Sequence, residues 1–203
     1  MNTRHPGLRT YVTGFALFIF LAAALFSGGA VSQLPSGAWT PAASMAQSRS
    51  GSSAALLQDG RILITGGQGT DGPTASGELF GKNGQFTLAA QMNDARSNHA
   101  AIVLHDGRVL VIGGYAPGGG VTNSAEIFDP ATDSWTAVSG GMVEARARHT
   151  ATLLKDGRVL IAGGSGNGTT SPTVEIYDPA ANSFSFAGTL SSARTQQAAT
   201  LLP

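Results

Sequence analysis

Two histidines, four arginines and three glutamates recur along this chain at spacings that invite a chemical reading. His99 and His149 each stand three residues after an arginine, Arg96 and Arg146. An imidazole repeated in this way could ligate a metal or act as a general base. Ser52 and Gln197 fill the same slot after Arg49 and Arg194, and neither replaces imidazole in such a role, so the two histidines read as core residues. Arg49, Arg96, Arg146 and Arg194 could ring an anionic ligand. Glu78, Glu126 and Glu175 recur just as strictly, and opposite charges repeating in step read as structural pairs, because a buried charge must be partnered. Arg148 breaks the pattern. Asn98 and Gly51 hold its slot, so the scaffold does not demand an arginine there, and Arg148 is a candidate ligand contact. Asp59, Asp106 and Asp156 each precede a glycine and suggest calcium, but a hairpin turn accounts for them. The run Pro117–Gly120 lacks the Lys-Ser/Thr of a phosphate loop and leads into a strand. No catalytic, metal or cofactor site is expected from these residues.

The elements that position these residues are written three times. A nineteen-residue stretch reads RSGSSAALLQDGRILITGG at 49–67, RSNHAAIVLHDGRVLVIGG at 96–114 and RARHTATLLKDGRVLIAGG at 146–164, and a fourth copy opens as RTQQAATLLP at 194–203. The starts are 47, 50 and 48 residues apart, a period that marks a repeat architecture. In each copy a short run follows the arginine, then Asp-Gly, then a continuously apolar run (RILIT, RVLVI, RVLIA). Two runs split by Asp-Gly predict a β-hairpin with a type I′ turn, and an uninterrupted apolar strand predicts burial on both faces. The second run ends in Gly66-Gly67, Gly113-Gly114 or Gly163-Gly164, which fits a sharp bend or close approach to a neighbouring sheet. A glycine-rich loop comes next, then a third strand carrying the glutamate, and a fourth headed by Phe86, Trp135 or Phe184. Four short strands per repeat, with no helical periodicity, predict an all-β propeller blade.

The order of strand, Asp-Gly, apolar strand, Gly-Gly, glycine-rich loop, Glu-aromatic-Asp-Pro, aromatic and next arginine resembles the kelch repeat. The resemblance covers about 39–203, and only the first copy departs, with Gly81-Lys82 where Asp129-Pro130 and Asp178-Pro179 stand in the others. It implies a kelch-type β-propeller of four-stranded antiparallel blades, at about 46–91, 92–141 and 142–189. The stretch 39–45 is expected to be the fourth strand of a further blade, closing the ring, and 190–203 to begin another. The expected fold is therefore an incomplete propeller, part of a larger ring. In kelch propellers the loops between second and third strands help to build one rim, often the one that binds ligand. Here those loops, at 68–77, 115–125 and 165–174, do not match one another. Asp71, Tyr115, Asn123 and Asn167 are the candidate ligand contacts on that rim, beside Arg148. The scaffold set is Arg49, Arg96, Arg146 and Arg194, the three Gly-Gly pairs, Glu78, Glu126, Glu175 and Trp135. Asn167-Gly168-Thr169 also matches a glycosylation sequon.

Composition bounds the function. The chain has 203 residues, of which 12% are charged, with no net charge. Phosphate backbones are held by clustered basic residues, and here the basic residues recur singly, so a nucleic-acid partner is excluded. Residues 1–32 carry Arg4 and Arg9, an apolar run from Tyr11 to Phe26, and small residues to Ala30 and Ser32. That order describes a secretory signal peptide, with an uncleaved membrane anchor as the rival reading. The absence of cysteine leaves no disulfide staples in an exported chain, although that compartment permits them. The function expected is an exported binding or scaffold module for a protein or carbohydrate ligand. The alternative is the N-terminal part of a galactose oxidase-like or other carbohydrate-acting propeller enzyme, with its catalytic residues in blades beyond Pro203.

Overall fold

The computed structural model describes residues 41–166 and 168–202. The expected leader, Trp39 and Asn167 lie outside the described residues. Pro41–Pro203 form one compact unit, all-β among the described residues.

Three four-stranded antiparallel sheets follow one another along the chain, and in each the strands are joined in sequence order. The first holds β1 (Ser53–Leu56), β2 (Ile62–Thr65), β5 (Gly77–Phe80) and β6 (Phe86–Ala89); a small hairpin, β3 (Gln68–Gly69) with β4 (Gly72–Pro73), sits in its glycine-rich loop. The second holds β7 (Ala100–Val103), β8 (Val109–Ile112), β9 (Ala125–Asp129) and β10 (Ser134–Ala137). The third holds β11 (Thr150–Leu153), β12 (Val159–Ala162), β13 (Thr173–Asp178) and β14 (Ser183–Thr189). The first strands of successive sheets lie beside each other, β1 by β7 and β7 by β11. The sheets therefore radiate from a common inner edge, as propeller blades do.

The second strands of the first two blades, β2 and β8, are buried throughout as their uninterrupted apolar sequence predicts, whereas in β12 Val159 and Ile161 are buried and Leu160 and Ala162 half-buried. Leu110 and Ile112 of β8 pack towards the third blade in one cluster with Val159, Ile161 and Tyr177. Val109 and Val111, on the opposite face of the same strand, pack towards the first blade with Leu63, Leu79 and Met92. One strand thus contributes to two cores, because successive side chains leave a strand on opposite faces. At the third-to-fourth strand turn an aromatic pair recurs in every blade. Phe80–Phe86, Phe128–Trp135 and Tyr177–Phe184 have ring centroids 4.9, 5.0 and 4.9 Å apart.

The Asp-Gly hairpins differ from the expected type I′ turn. Gly60, Gly107 and Gly157 have positive φ (85°, 88° and 89°) while their aspartates do not. Gly60 N–H donates to Leu57 O, and Leu57 N–H to Arg61 O, which makes a three-residue loop: a type I turn closed by a glycine bulge. The aspartate has a different use. Asp59 accepts from Arg61 N–H at 2.9 Å and from Arg61 Nε at 2.7 Å, a clasp repeated by Asp106 with Arg108 and Asp156 with Arg158. In the first blade, where Gly81-Lys82 replace Asp-Pro, Gly81 N–H donates to Gln85 O in a tighter turn, and the blade is intact.

Neither 41–45 nor 190–202 forms a strand, since no neighbouring strand pairs with either among the described residues. The second segment is nevertheless docked on the third blade: Leu190 N–H donates to Pro172 O, and Arg194 O accepts from Gly164 N–H.

Candidate functional site

The repeated arginines and glutamates form buried pairs inside each blade. Arg49–Glu78, Arg96–Glu126 and Arg146–Glu175 lie 2.8, 2.9 and 2.8 Å apart, with every one of these side chains at most 1% exposed. Each arginine also donates to two main-chain carbonyls of its own blade; for Arg96 these are Gly113 O and Ser124 O. Each glutamate accepts from two backbone N–H groups of the segment entering the blade; Glu126 takes Asn93 and Asp94. Nε of Arg49 and of Arg96 stays buried without a partner, but each charge is neutralised inside its own blade and sealed from solvent, out of reach of a ligand. Arg194 is exposed and donates to Ser192 Oγ at 3.0 Å, with no carboxylate beside it among the described residues. Trp135 joins blades: its Nε1 donates to Ala90 O of the first blade at 2.9 Å.

The Gly-Gly pairs are where blades meet. A Cβ on Gly113 would lie 2.5 Å from Arg146 O, and one on Gly114 only 2.6 Å from Ser97 O. Both contacts are with backbone, which cannot move aside. Gly114 N–H donates to Arg146 O at 2.9 Å, as Gly67 N–H does to Arg96 O and Gly164 N–H to Arg194 O. A side chain on Gly113 would press on the next blade, and one on Gly114 on the inner edge of its own blade at Ser97 and His99.

Along the inner edge runs a feature the sequence does not announce. Gly51, Asn98, Arg148 and Gln196 occupy one repeat slot, and all four have left-handed backbone, with φ of 61°, 53°, 57° and 57°. That twist turns each main chain towards the next blade. Asn98 N–H donates to Gly51 O at 2.7 Å, Arg148 N–H to Asn98 O at 2.9 Å, and Gln196 N–H to Arg148 O at 3.0 Å. The left-handed conformation costs glycine nothing and asparagine little, but roughly 1–2 kcal/mol for other residues. The ladder needs only the backbone, so Arg148 and Gln196 carry a cost that glycine in the same slot avoids.

Beside this ladder lies a cavity of about 270 Å³ lined by Gly51, Ser52, Asn98, His99, Arg148, His149, Gln196 and Gln197. It is rich in donors and has no carboxylate in its wall. Arg148 is exposed, and among the described residues no carboxylate pairs with it. Its guanidinium carbon lies 5.4 Å from the centre of the Tyr115 ring, a cation–π contact from the loop of the preceding blade. Tyr115 Oη in turn lies 3.0 Å from Ser165 Oγ, which ties two rim loops together.

The histidines are buried, as their shared slot suggests, but they are not equally satisfied. His99 Nε2 lies 3.0 Å from Thr65 Oγ1 at the end of β2. Ile112 stands in the position of Thr65 one blade later, where it offers His149 no polar atom. Both His149 nitrogens are buried without a partner, as is His99 Nδ1. Burial, reinforced by the charge of the nearby arginine, holds both imidazoles down to about 3, so they are neutral at ordinary pH. A neutral imidazole offers one donor and one acceptor, and leaving a buried polar group unmade costs about 1–3 kcal/mol.

Of the five candidate ligand contacts, the structure brings Arg148 and Tyr115 together. Asp71 is exposed at the tip of the β3–β4 hairpin, with Thr70 Oγ1 donating to it at 3.3 Å. Asn123 clips its blade to the segment that enters the next, donating through Nδ2 to Met142 O at 2.8 Å while its own carbonyl accepts from Met142 N–H. Sequence reasoning passed over Asn98 and Gln196 in the cavity wall. Glycine and asparagine in one slot, the two residues most at ease with positive φ, were the available signal.

Radiating four-stranded blades joined at their inner edge define a β-propeller. A family model described as the kelch motif matches residues 96–142 and 146–191, so the second and third blades carry kelch motifs, which supports a kelch-type β-propeller. No curated protein matches it in sequence. Among solved structures it is similar to one titled "Structure of YjhT", with a TM-score of 0.59 and 17% identity, over 70% of this chain and 51% of the other. At that identity the likeness concerns the fold. The chain spans about half the length of that neighbour.

Proposed function

We propose that this chain is an exported binding module, part of a longer kelch propeller, which takes a protein or carbohydrate ligand on the rim formed by its glycine-rich loops and inner-edge cavity. One observation carries the reading. The residues that repeat from blade to blade are consumed by the scaffold, whereas those lining the cavity vary: Gly51, Asn98, Arg148 and Gln196 all differ in one slot, and in the next, Ser52, His99, His149 and Gln197, only histidine recurs. A surface that varies on a constant frame is where recognition is placed. Export rests on the signal-like order of residues 1–32, and membership of a longer ring on the greater length of the structural neighbour. The test is a glycan array and a panel of cell-surface proteins probed with the chain and with its Arg148→Gln variant. Retention of a ligand by the parent and its loss in the variant is the expected result; a parent that binds nothing on either surface sinks the proposal. Mass spectrometry of the exported protein tests the leader, with loss of about the first 30–32 residues expected.

A further inference from the structure

We infer that His99 and His149 are acid-released wedges in the two seams between the three blades, and that acid parts the third blade from the second before the blades themselves unfold. The inference concerns the scaffold and does not depend on any ligand.

The geometry sets each ring in a seam. His149 Cε1 lies 3.0 Å from where a Cβ on Gly113 of the second blade would sit, and His149 Cβ lies 2.9 Å from the corresponding point on Gly164 of its own blade. His99 is wedged in the same way between Gly66 and Gly114, at 2.7 and 3.0 Å. A charge enclosed so tightly needs a partner, and His149 has none. Both its nitrogens are buried unpartnered. Around it stand Arg146 and Arg148 on its own segment, His99 on the second blade, and Arg194 and Gln197 on the docked segment, none of them anionic. The strand ends Ile112–Gly114 and Ala162–Gly164 carry no ionisable side chain, and the carboxylates of Glu144 and Glu175 are held by Arg146. The closed seam therefore refuses the imidazolium, which forms freely once the seam opens and the ring meets water. Ser52 and Gln197, which do not titrate, fill the same slot at either end of the described blades, so the sensitivity belongs to these two seams.

The two seams are not equal. His99 Nε2 has the Thr65 hydroxyl at 3.0 Å, whereas Ile112 gives His149 no counterpart, and unmade buried hydrogen bonds weaken the second seam. Blades that touch only their neighbours can part at one interface while the rest holds. Opening there breaks Gly114 N–H from Arg146 O, Arg148 N–H from Asn98 O and Tyr115 Oη from Ser165 Oγ, so the rim divides between the second and third blades.

Hydrogen exchange on the full chain, read as protection factors by NMR from pH 7.5 to pH 5, tests this. The amides of Gly114 and Arg148 report the second seam, and those of Gly67 and Asn98, bonded to Arg96 O and Gly51 O, report the first. Over that range each seam should lose protection about thirtyfold, as expected for one imidazole moving from about 3 when closed to about 6.5 when open. Gly114 and Arg148 should be the less protected at every pH, while the β8–β9 ladder keeps its protection. His149→Gln, which installs the residue of the Gln197 slot, should flatten the profile at Gly114 and Arg148 and leave it intact at Gly67 and Asn98; His99→Gln should do the reverse. Thr65→Val, which titrates nothing, should lower protection at Gly67 and Asn98 about tenfold without changing their slope. Protection at Gly114 that does not change with pH, a slope there that survives His149→Gln, or a β8–β9 ladder that opens in step with the seam overturns the inference. So does a first seam that gives before the second, or one indifferent to Thr65→Val.

Discussion

Replacing Glu126 by glutamine changes one atom and should cost this domain a large part of its stability. Glu126 is 1% exposed, and its two oxygens accept from Asn93 N–H, Asn93 Nδ2, Asp94 N–H and Arg96 Nη2. The glutamine amide would turn an N–H group towards donors, whichever way it faces, and would leave the buried guanidinium of Arg96 beside Asp94 alone, at 3.4 Å and 57% exposed. Breaking a buried pair by neutralising one partner costs about 3–5 kcal/mol, against a whole-domain stability of roughly 5–15 kcal/mol. The Asp106–Arg108 pair supplies the contrast. It is shorter, at 2.7 Å, but its side chains are 48% and 41% exposed, so Asp106→Asn should cost under about 1 kcal/mol. Urea unfolding of both variants, followed by circular dichroism, measures the difference. A Glu126→Gln loss below about 1 kcal/mol, or one no larger than that of Asp106→Asn, would refute the claim that burial and not distance sets the worth of these pairs.

Acid should weaken the protein before its carboxylates titrate. The two buried imidazoles are held down to about 3 against about 6.5 in the unfolded chain, so the unfolded state binds protons that the folded state refuses. Their stabilisation is complete above about pH 6.5 and falls as pH drops towards 3, by roughly 2 kcal/mol per imidazole between pH 6.5 and pH 5. His149→Gln, which installs the residue found in that slot at Gln197, should remove half of that slope; an unaltered pH profile of urea midpoints would show the reasoning wrong. Gly114→Ala sets a Cβ 2.6 Å from Ser97 O on backbone of φ 104°, and a loss of at least about 2 kcal/mol is expected. A thermal midpoint within a degree or two of the parent would deny the close approach of Ser97 O to that glycine.

The blade was legible in the sequence because its determinants are local. Leu110 and Ile112 declare a buried strand by sitting in an unbroken apolar run, and Gly113-Gly114 declare a close approach. The pairing of Arg96 with Glu126 followed from two charges recurring in step. The cavity was harder to read, for a physical reason. Its wall takes two residues from each blade and from the last docked segment, so no window of sequence contains it. The left-handed slot was hidden by its own occupants, since Arg148 and Gln196 are types that seldom adopt that backbone. Nor could the sequence separate His149 from His99: the difference lies in Ile112 standing where Thr65 stands, some 35 residues away in the neighbouring blade. The Asp-Gly turn went to the wrong hairpin type because Asp59 is retained for its clasp on Arg61, not for positive φ.

The inner-edge ladder also bears on how such a protein can change. Because blades are registered there by main chain alone, glycine, asparagine, arginine and glutamine all fit the same rung, and the penalty for exchanging one for another is modest and confined to that rung. Neighbouring blades do not need to adjust. Lining and frame are thereby decoupled, so the wall of the cavity can be rewritten residue by residue, each exchange altering what is recognised while the blades stay in register.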